Sequence, residues 1–354
     1  MFKQVKDMKT IVVKLGSSVI APEGILNPSR ITRLVKDFLA VEDKGYKVVL
    51  VSSGAIACGV NKLGHKRRPQ DMHSLMALAS LGQIMLMDLY AQKFKRYDKL
   101  CAQILLTWDD FDNRKRFLNA RYTINKLLDM GIVPIINEND AVSCDEIRFG
   151  ENDRLAALVA DLISARMLVL LSDVEGLMDG DKVLREVDQI DSKIFRLVKK
   201  SGSAFTAGGM VSKLEAAGIA TSAGIKTVIA SGQKKNVVCC VAQGKEAGTV
   251  FWPLKKVDRA RKRWIAFGKK IKGKVYIDDG AKEAILKKGK SLLSVGIVKV
   301  DGEFKEKDAV GILDKDGVSC GRGIINYSCQ ELIGLAGKKL DKEVVHRDNF
   351  VASV

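Results

Sequence analysis

The first 254 residues repeat one pattern: a short run of β-branched and aliphatic residues, then a longer segment of helical period. Strands are predicted at 10–13, 47–52, 102–106, 132–136, 167–171 and 227–230, with helices between them at 29–44, 71–94, 116–130, 154–165 and 211–223. Strands that are apolar almost throughout have both faces covered. With a helix between each pair, they must run mostly parallel. The pattern predicts an open α/β sheet sandwiched by helices.

Trp252-Pro253 ends the alternation. Residues 255–274 carry ten Lys/Arg and one Asp, a charge of +9 out of +17 for the whole chain. Beyond them, short strands at 274–277, 296–300, 309–313 and 323–325 are separated by Asp-Gly turns, with one helical segment at 281–288 and balanced charge. Three parts are therefore expected: a large α/β domain over 1–254, a basic linker over 255–273, and a small β-rich domain over 274–354. A basic block holding a tryptophan can bind nucleic acid, but a solvated linker is the simpler reading.

The longest apolar stretch, 75–86, is interrupted by Ser80, Gly82 and Gln83 and falls short of a bilayer span. The seven cysteines form no C-x-x-C pair and the N-terminal apolar run is too short for a secretory signal. The chain reads as reduced and cytoplasmic, with no membrane partner. Its three histidines lie at no metal-ligand spacing, so no protein-held metal site is expected.

In an open α/β sheet, ligands bind beyond the carboxyl ends of the strands. The unusual residues of this chain lie there. Strand one runs into Lys14-Leu15-Gly16-Ser17-Ser18 and strand two into Ser53-Gly54-Ala55, while later strands end in Asn137-Glu138-Asn139-Asp140 and Ser172-Asp173. The Gly16-Ser17 turn offers amides to phosphate oxygens, with Lys14 as a point charge. A second small-residue turn, Ala207-Gly208-Gly209-Met210-Val211-Ser212-Lys213, brings another lysine. Both turns lack the spacing of a P-loop or a dinucleotide fingerprint. Two such turns suit a polyphosphate approached from both sides.

Asp140, Asp153 and Asp173 are the candidate carboxylates, able to orient the lysines, meet Mg²⁺ or receive an ammonium group. Asn137, Asn139 and Asn152 suit a small polar substrate. Asn152 could instead cap the helix that follows; substrate contact is the stronger reading. No nucleophile elbow, catalytic triad or strand-end histidine is present. Phosphoryl transfer to a carboxylate needs none, because that nucleophile is already ionised at neutral pH.

The segments VVKLGSS at 12–18, VSSGAIACG at 51–59, PIINENDAV at 134–142, FGENDRLAALVA at 149–160, LLSDVEGL at 170–177 and AGGMVSKLEAA at 207–217 together resemble the glutamate 5-kinases of the amino acid kinase family. Residues 273–297 and 321–332 are similar to the PUA domain carried by those enzymes. The resemblance implies the amino acid kinase fold and ATP-dependent phosphorylation of the side-chain carboxylate of L-glutamate, the first step of proline synthesis. It implies catalytic Lys14 and Lys213 ordered by Asp153. Glutamate would lie on Ser53, Gly54, Ala55, Asn137, Asp140 and Asn152. ATP with Mg²⁺ would lie on Lys14, Gly16, Ser17, Ser172, Asp173 and residues 207–213. It further implies a homo-oligomer (dimer or tetramer), proline as feedback inhibitor, and glutamyl phosphate reductase as the enzyme receiving the product. A kinase for a related acidic amino acid is the alternative, and RNA binding through the PUA part is a possible secondary activity. Two departures stand out: no Asp-Pro pair follows Leu177, and Ala207 replaces the usual threonine of the glycine turn.

Overall fold

The computed structural model describes residues 9–65, 67–143, 152–200, 204–254, 260–335 and 342–353. By its contacts the chain divides into two compact units, Met1–Val257 and Asp258–Val354.

In the first unit, strands β1 (Thr10–Leu15), β2 (Lys47–Ser52), β3 (Cys101–Leu106), β4 (Val133–Glu138) and β5 (Met167–Ser172) belong to one eight-stranded sheet with β8 (Glu186–Val187), β9 (Lys226–Ser231) and β10 (Thr249–Phe251). Their order is β3-β4-β2-β1-β5-β9-β10-β8. Every neighbouring pair is parallel except β10 against β9. A small hairpin of β6 (Met178–Asp179) and β7 (Lys182–Val183) follows β5, where the sequence pattern showed no strand. The pleat sorts β1 side chains by parity. Ile11, Val13 and Leu15 enter the main core cluster with Val35 and Phe38 of helix α2 (Pro28–Glu42). Lys14 shares its parity with Val12 and projects to the opposite face, where the helix Asp153–Leu162 packs.

Helix α1 (Ser17–Ile20) is a four-residue turn after β1. Helix α3 (Ala55–Lys62) follows β2 directly, with Gly54 at φ 105° in the left-handed region that makes the sharp entry. Helix α4 (Met72–Lys95) is capped by Asp71, whose carboxylate accepts the Ser74 amide at 2.8 Å. It is long and apolar enough by composition to cross a bilayer. Here Leu75, Leu78, Ala79, Leu86, Tyr90 and Phe94 are buried inside the domain. Backbone contact locks α3 to α4: a Cβ on Gly59 would come within 2.1 Å of the Leu78 carbonyl, and one on Gly82 within 1.8 Å of the Ala55 carbonyl. Helix α5 (Trp108–Asp112) and helix α6 (Arg114–Asp129) connect β3 to β4. Far along the chain, Asp37 of α2 accepts the Val238 and Cys239 amides at 2.8 and 3.0 Å and so caps the helix Val237–Ala242.

The second unit is a five-stranded sheet, β12-β11-β13-β14-β15, formed by β11 (Ile271–Ile277), β12 (Ile297–Gly302), β13 (Ala309–Asp314), β14 (Ser319–Ile324) and β15 (Phe350–Ala352). Its core holds Val275, Ile277, Leu292, Val310, Ile312 and Val344. The expected linker is ordered over most of its length. Ala260–Arg263 and Trp264–Gly268 are helical and β11 begins at Ile271, because Ile265 is buried against Ala309 and Ile324. Residues 255–259 lie outside the described chain.

Candidate active site

Three charged side chains meet where β1 ends and two helices begin. Lys14 rises from β1, Asp153 opens the helix Asp153–Leu162, and Lys213 lies on the helix Ala204–Ser222. The Lys14 amine is 2.8 Å from Asp153 Oδ1 and the Lys213 amine 3.1 Å from Oδ2, while Ser212 Oγ donates to Oδ2 at 2.9 Å. All three charged groups are buried, Asp153 completely. One buried carboxylate here joins two ammonium groups, so both cations are held at one point of low dielectric. Such a centre suits a phosphoryl group in transfer.

Next to Asp153, Asn152 occupies the cap position of its helix, yet its side chain caps nothing. Its amide nitrogen donates to Asn137 Oδ1 at 2.7 Å, Ser53 Oγ at 3.1 Å and the Ser52 carbonyl at 3.3 Å. Asn137 passes the chain on, donating to Gln83 Oε1 of α4 at 2.9 Å. Ser52 Oγ and the Tyr90 hydroxyl lie 2.8 Å apart beneath. The sequence reading gave no site role to Gln83 or Tyr90. A glutamine inside the apolar run of α4 was the available signal. Asn152 Oδ1 is buried and accepts no hydrogen bond among the described residues.

A cleft of about 580 Å³ opens beside this network, lined by Ser17, Ser53, Gly54, Ala55, Asn137 and Asp140. The α3–α4 loop adds His65, Arg67 and Arg68, which the sequence reading also passed over. Asp140 is 6% exposed, and its Oδ1 has no hydrogen-bond partner among the described residues. Burial pushes its carboxyl up to about 7; the neighbouring Glu138 charge adds to the rise and the Arg68 guanidinium opposes it. Asn139 faces away from this cleft into a smaller hollow of about 230 Å³, shared with Ala55, Gln83 and the other side of Asp140.

Two expectations about the strand-end turns need correction. Gly16 does not offer its own amide, which donates to the Leu171 carbonyl at 3.2 Å and ties β1 to β5. A Cβ there would lie 3.3 Å from the Leu171 carbonyl oxygen, a tight approach to β5, while Ser17 and Ser18 stay exposed. Residues 207–213 are not a turn. They lie within the helix Ala204–Ser222, and Lys213 Nζ also donates to the Gly209 carbonyl one turn back, at 3.1 Å. The strong helix formers around Gly208-Gly209 outweigh about 1 kcal/mol per glycine. The side chains of Ala207 and Gly208 lie outside the described residues, while Met210 and Val211 are half-buried. Ser172 ends β5 and donates to Asp173 at 2.9 Å; Asp173 is exposed. Residues 149–151, which open the segment 149–160 of the resemblance, are outside the described residues. No cluster of three potential metal ligands occurs among the described residues.

Residues 9–231 match the model of the amino acid kinase family and residues 273–346 that of the PUA domain. The glutamate 5-kinase of a Thermoanaerobacter species is 41% identical over 96% of this chain and 97% of its own. That of Syntrophotalea carbinolica is 42% identical over 97% of each, and that of Dictyoglomus thermophilum 42% over 98% of each. Carbamate kinase of Giardia, 18% identical with a TM-score of 0.50, covers 70% of this chain and 99% of its own, a likeness of fold. By sequence over nearly its whole length, the chain belongs to the glutamate 5-kinases of the amino acid kinase family, with a C-terminal PUA domain.

Proposed function

We propose that this enzyme transfers the γ-phosphoryl group of Mg·ATP to the side-chain carboxylate of L-glutamate, giving ADP and L-glutamyl 5-phosphate. The observation that carries this reading is the pairing of Lys14 and Lys213 on one buried carboxylate, Asp153, beside a cleft with unsatisfied acceptors. A carboxylate oxygen of glutamate attacks Pγ. The new O–P bond forms as the bond from Pγ to the β-phosphate bridging oxygen breaks, and that oxygen leaves with ADP. No base is needed, since a glutamate side chain with pKa near 4.3 is ionised at pH 7. Lys14 and Lys213 neutralise charge on the transferring group and the leaving oxygen, and Asp153 holds both amines in place. Mg²⁺ arrives with ATP as part of the substrate, since such an ion takes most of its ligands from phosphates and water.

In the same reading, Asp140 and Asn152 Oδ1 take the ammonium group, while Ser53, Gly54, Ala55 and Asn137 shape the rest of the glutamate pocket. Gly16, Ser17, Ser172, Asp173 and residues 207–213 lie on the nucleotide side. Proline as inhibitor, a homo-oligomer and a reductase taking the labile acyl phosphate belong to this proposal too. The test is trapping of the acyl phosphate by hydroxylamine with ATP, Mg²⁺ and L-glutamate, with aspartate and N-acetylglutamate in parallel. Hydroxamate from glutamate above the other acids supports the assignment. A folded protein that yields none with glutamate overturns it.

A further inference from the structure

The cleft is lined by a buried acid and by exposed guanidinium groups. Asp140, 6% exposed, presents an oxygen with no donor. The α3–α4 loop contributes Arg67 and Arg68 to the same lining. Neither guanidinium makes a hydrogen bond or ion pair among the described residues, although the charge of Arg68 is felt at Asp140. An acceptor lacking a donor fits an ammonium group. A guanidinium near an acid but with both N–H edges uncommitted among the described residues can still grip a carboxylate through two parallel donors. A ligand that satisfies both at once carries an ammonium and a carboxylate close together, as on the α-carbon of a free amino acid.

We propose that Arg68 receives the α-carboxylate of the acceptor amino acid and is thereby a specificity-determining residue for free α-amino acids. This rests on the reading of the cleft as the glutamate site. Arg68 does not touch the reacting carboxylate, so its contribution lies in binding and discrimination. It is exposed on a loop, and its replacement leaves the domain core intact.

4-Aminobutyrate supplies the test. It is glutamate without the α-carboxylate, keeping the ammonium group and the reacting carboxylate. Glutamate 1-amide keeps the shape with the charge removed. Hydroxamate formation from all three is compared in the full-length protein, Arg68→Ala and Arg68→Lys; an analogue that does not react is compared by its Ki against glutamate. With Arg68→Ala, kcat/KM for glutamate should fall about 10- to 100-fold, mostly through KM, the range for losing a hydrogen bond to a charged group. The values for 4-aminobutyrate and the amide should change less than about threefold, so that discrimination collapses. Arg68→Lys should recover part of it. Equal losses for all three ligands would show that Arg68 acts through Asp140 or through loop position, and would overturn the inference, as would no change. A wild-type protein inactive with glutamate defeats the glutamate reading itself. An active one whose discrimination survives Arg68→Ala defeats only the role given to Arg68.

Discussion

The Lys14 amine lies 2.8 Å from Asp153 Oδ1 at a point where both side chains are shut off from solvent, at 2% and 0% exposure. Lys213 closes on the other oxygen at 3.1 Å. The acid is thus the organiser of two cations rather than a group facing substrate, and the first prediction follows from that arrangement. Asp153→Ala removes the acid that both buried ammonium groups share and should destabilise the kinase domain by about 3–5 kcal/mol in urea unfolding. Lys14→Ala and Lys213→Ala should each lower kcat about 10²- to 10⁴-fold with the fold retained, read by hydroxamate formation and circular dichroism. Near-normal turnover in both lysine variants would remove the proposed mechanism.

Asp140 gives a pH dependence with two opposite signs. Burial holds its carboxyl up to about 7 in the folded protein, above the value of about 3.9 in an unfolded chain. Its contribution to stability is therefore fully present below about pH 4 and lost as pH rises through 7. Substrate binding runs the other way, because an ammonium group needs the ionised form. KM for glutamate should rise about tenfold per unit as pH falls below 7. Asp140→Asn should raise KM at every pH and flatten this dependence between pH 5.5 and 8. An unchanged slope in that variant would assign the titration elsewhere.

Gly82 sets the distance between α3 and α4. Its absent Cβ would stand 1.8 Å from the Ala55 carbonyl, so Gly82→Ala must push the two helices apart. The expected cost is about 1–3 kcal/mol of stability. Because Gln83 and Ala55 ride on the same two helices, KM for glutamate should rise in parallel. A variant with wild-type Tm and KM would show that the contact relaxes freely.

Gln83→Leu tests the buried polar chain. Asn137 Nδ2 donates to Gln83 Oε1 at 2.9 Å, and an apolar replacement leaves that donor stranded at a cost of about 1–3 kcal/mol. Asn137 also accepts from Asn152 at 2.7 Å, so the loss should reach the substrate pocket and appear mainly in KM. Gln83→Glu, which keeps the acceptor, should be milder in stability than Gln83→Leu.

Much of this molecule was legible in the amino-acid order. The alternation of apolar strands with helical segments is local, and it located the five long parallel strands near β1–β5 and the β9 strand within a residue or two. Lys14 and Asp153 were legible because they stand near a strand end and at a helix start, where an open α/β sheet collects its ligands, while Lys213, ten residues into its helix, joined them through its glycine-bearing segment and the family resemblance. Less visible were elements of two or three residues, such as β6, β7 and β15, whose pairing depends on a distant neighbour rather than on their own pattern.

Residues 207–213 were misread as a turn because glycine pairs are ambiguous without their neighbours' packing, and here the helix runs through them. What only the tertiary structure decided is which polar groups pair and which are left over. The parity of β1 places Lys14 on the face of Asp153, while α4 carries Gln83 under Asn137 and Asp37 caps a helix that begins at Val237. Hydrogen bonds and ion pairs are short-ranged and directional, so their partners follow from the packing of elements far apart in the chain, whereas hydrophobic periodicity acts within a few residues.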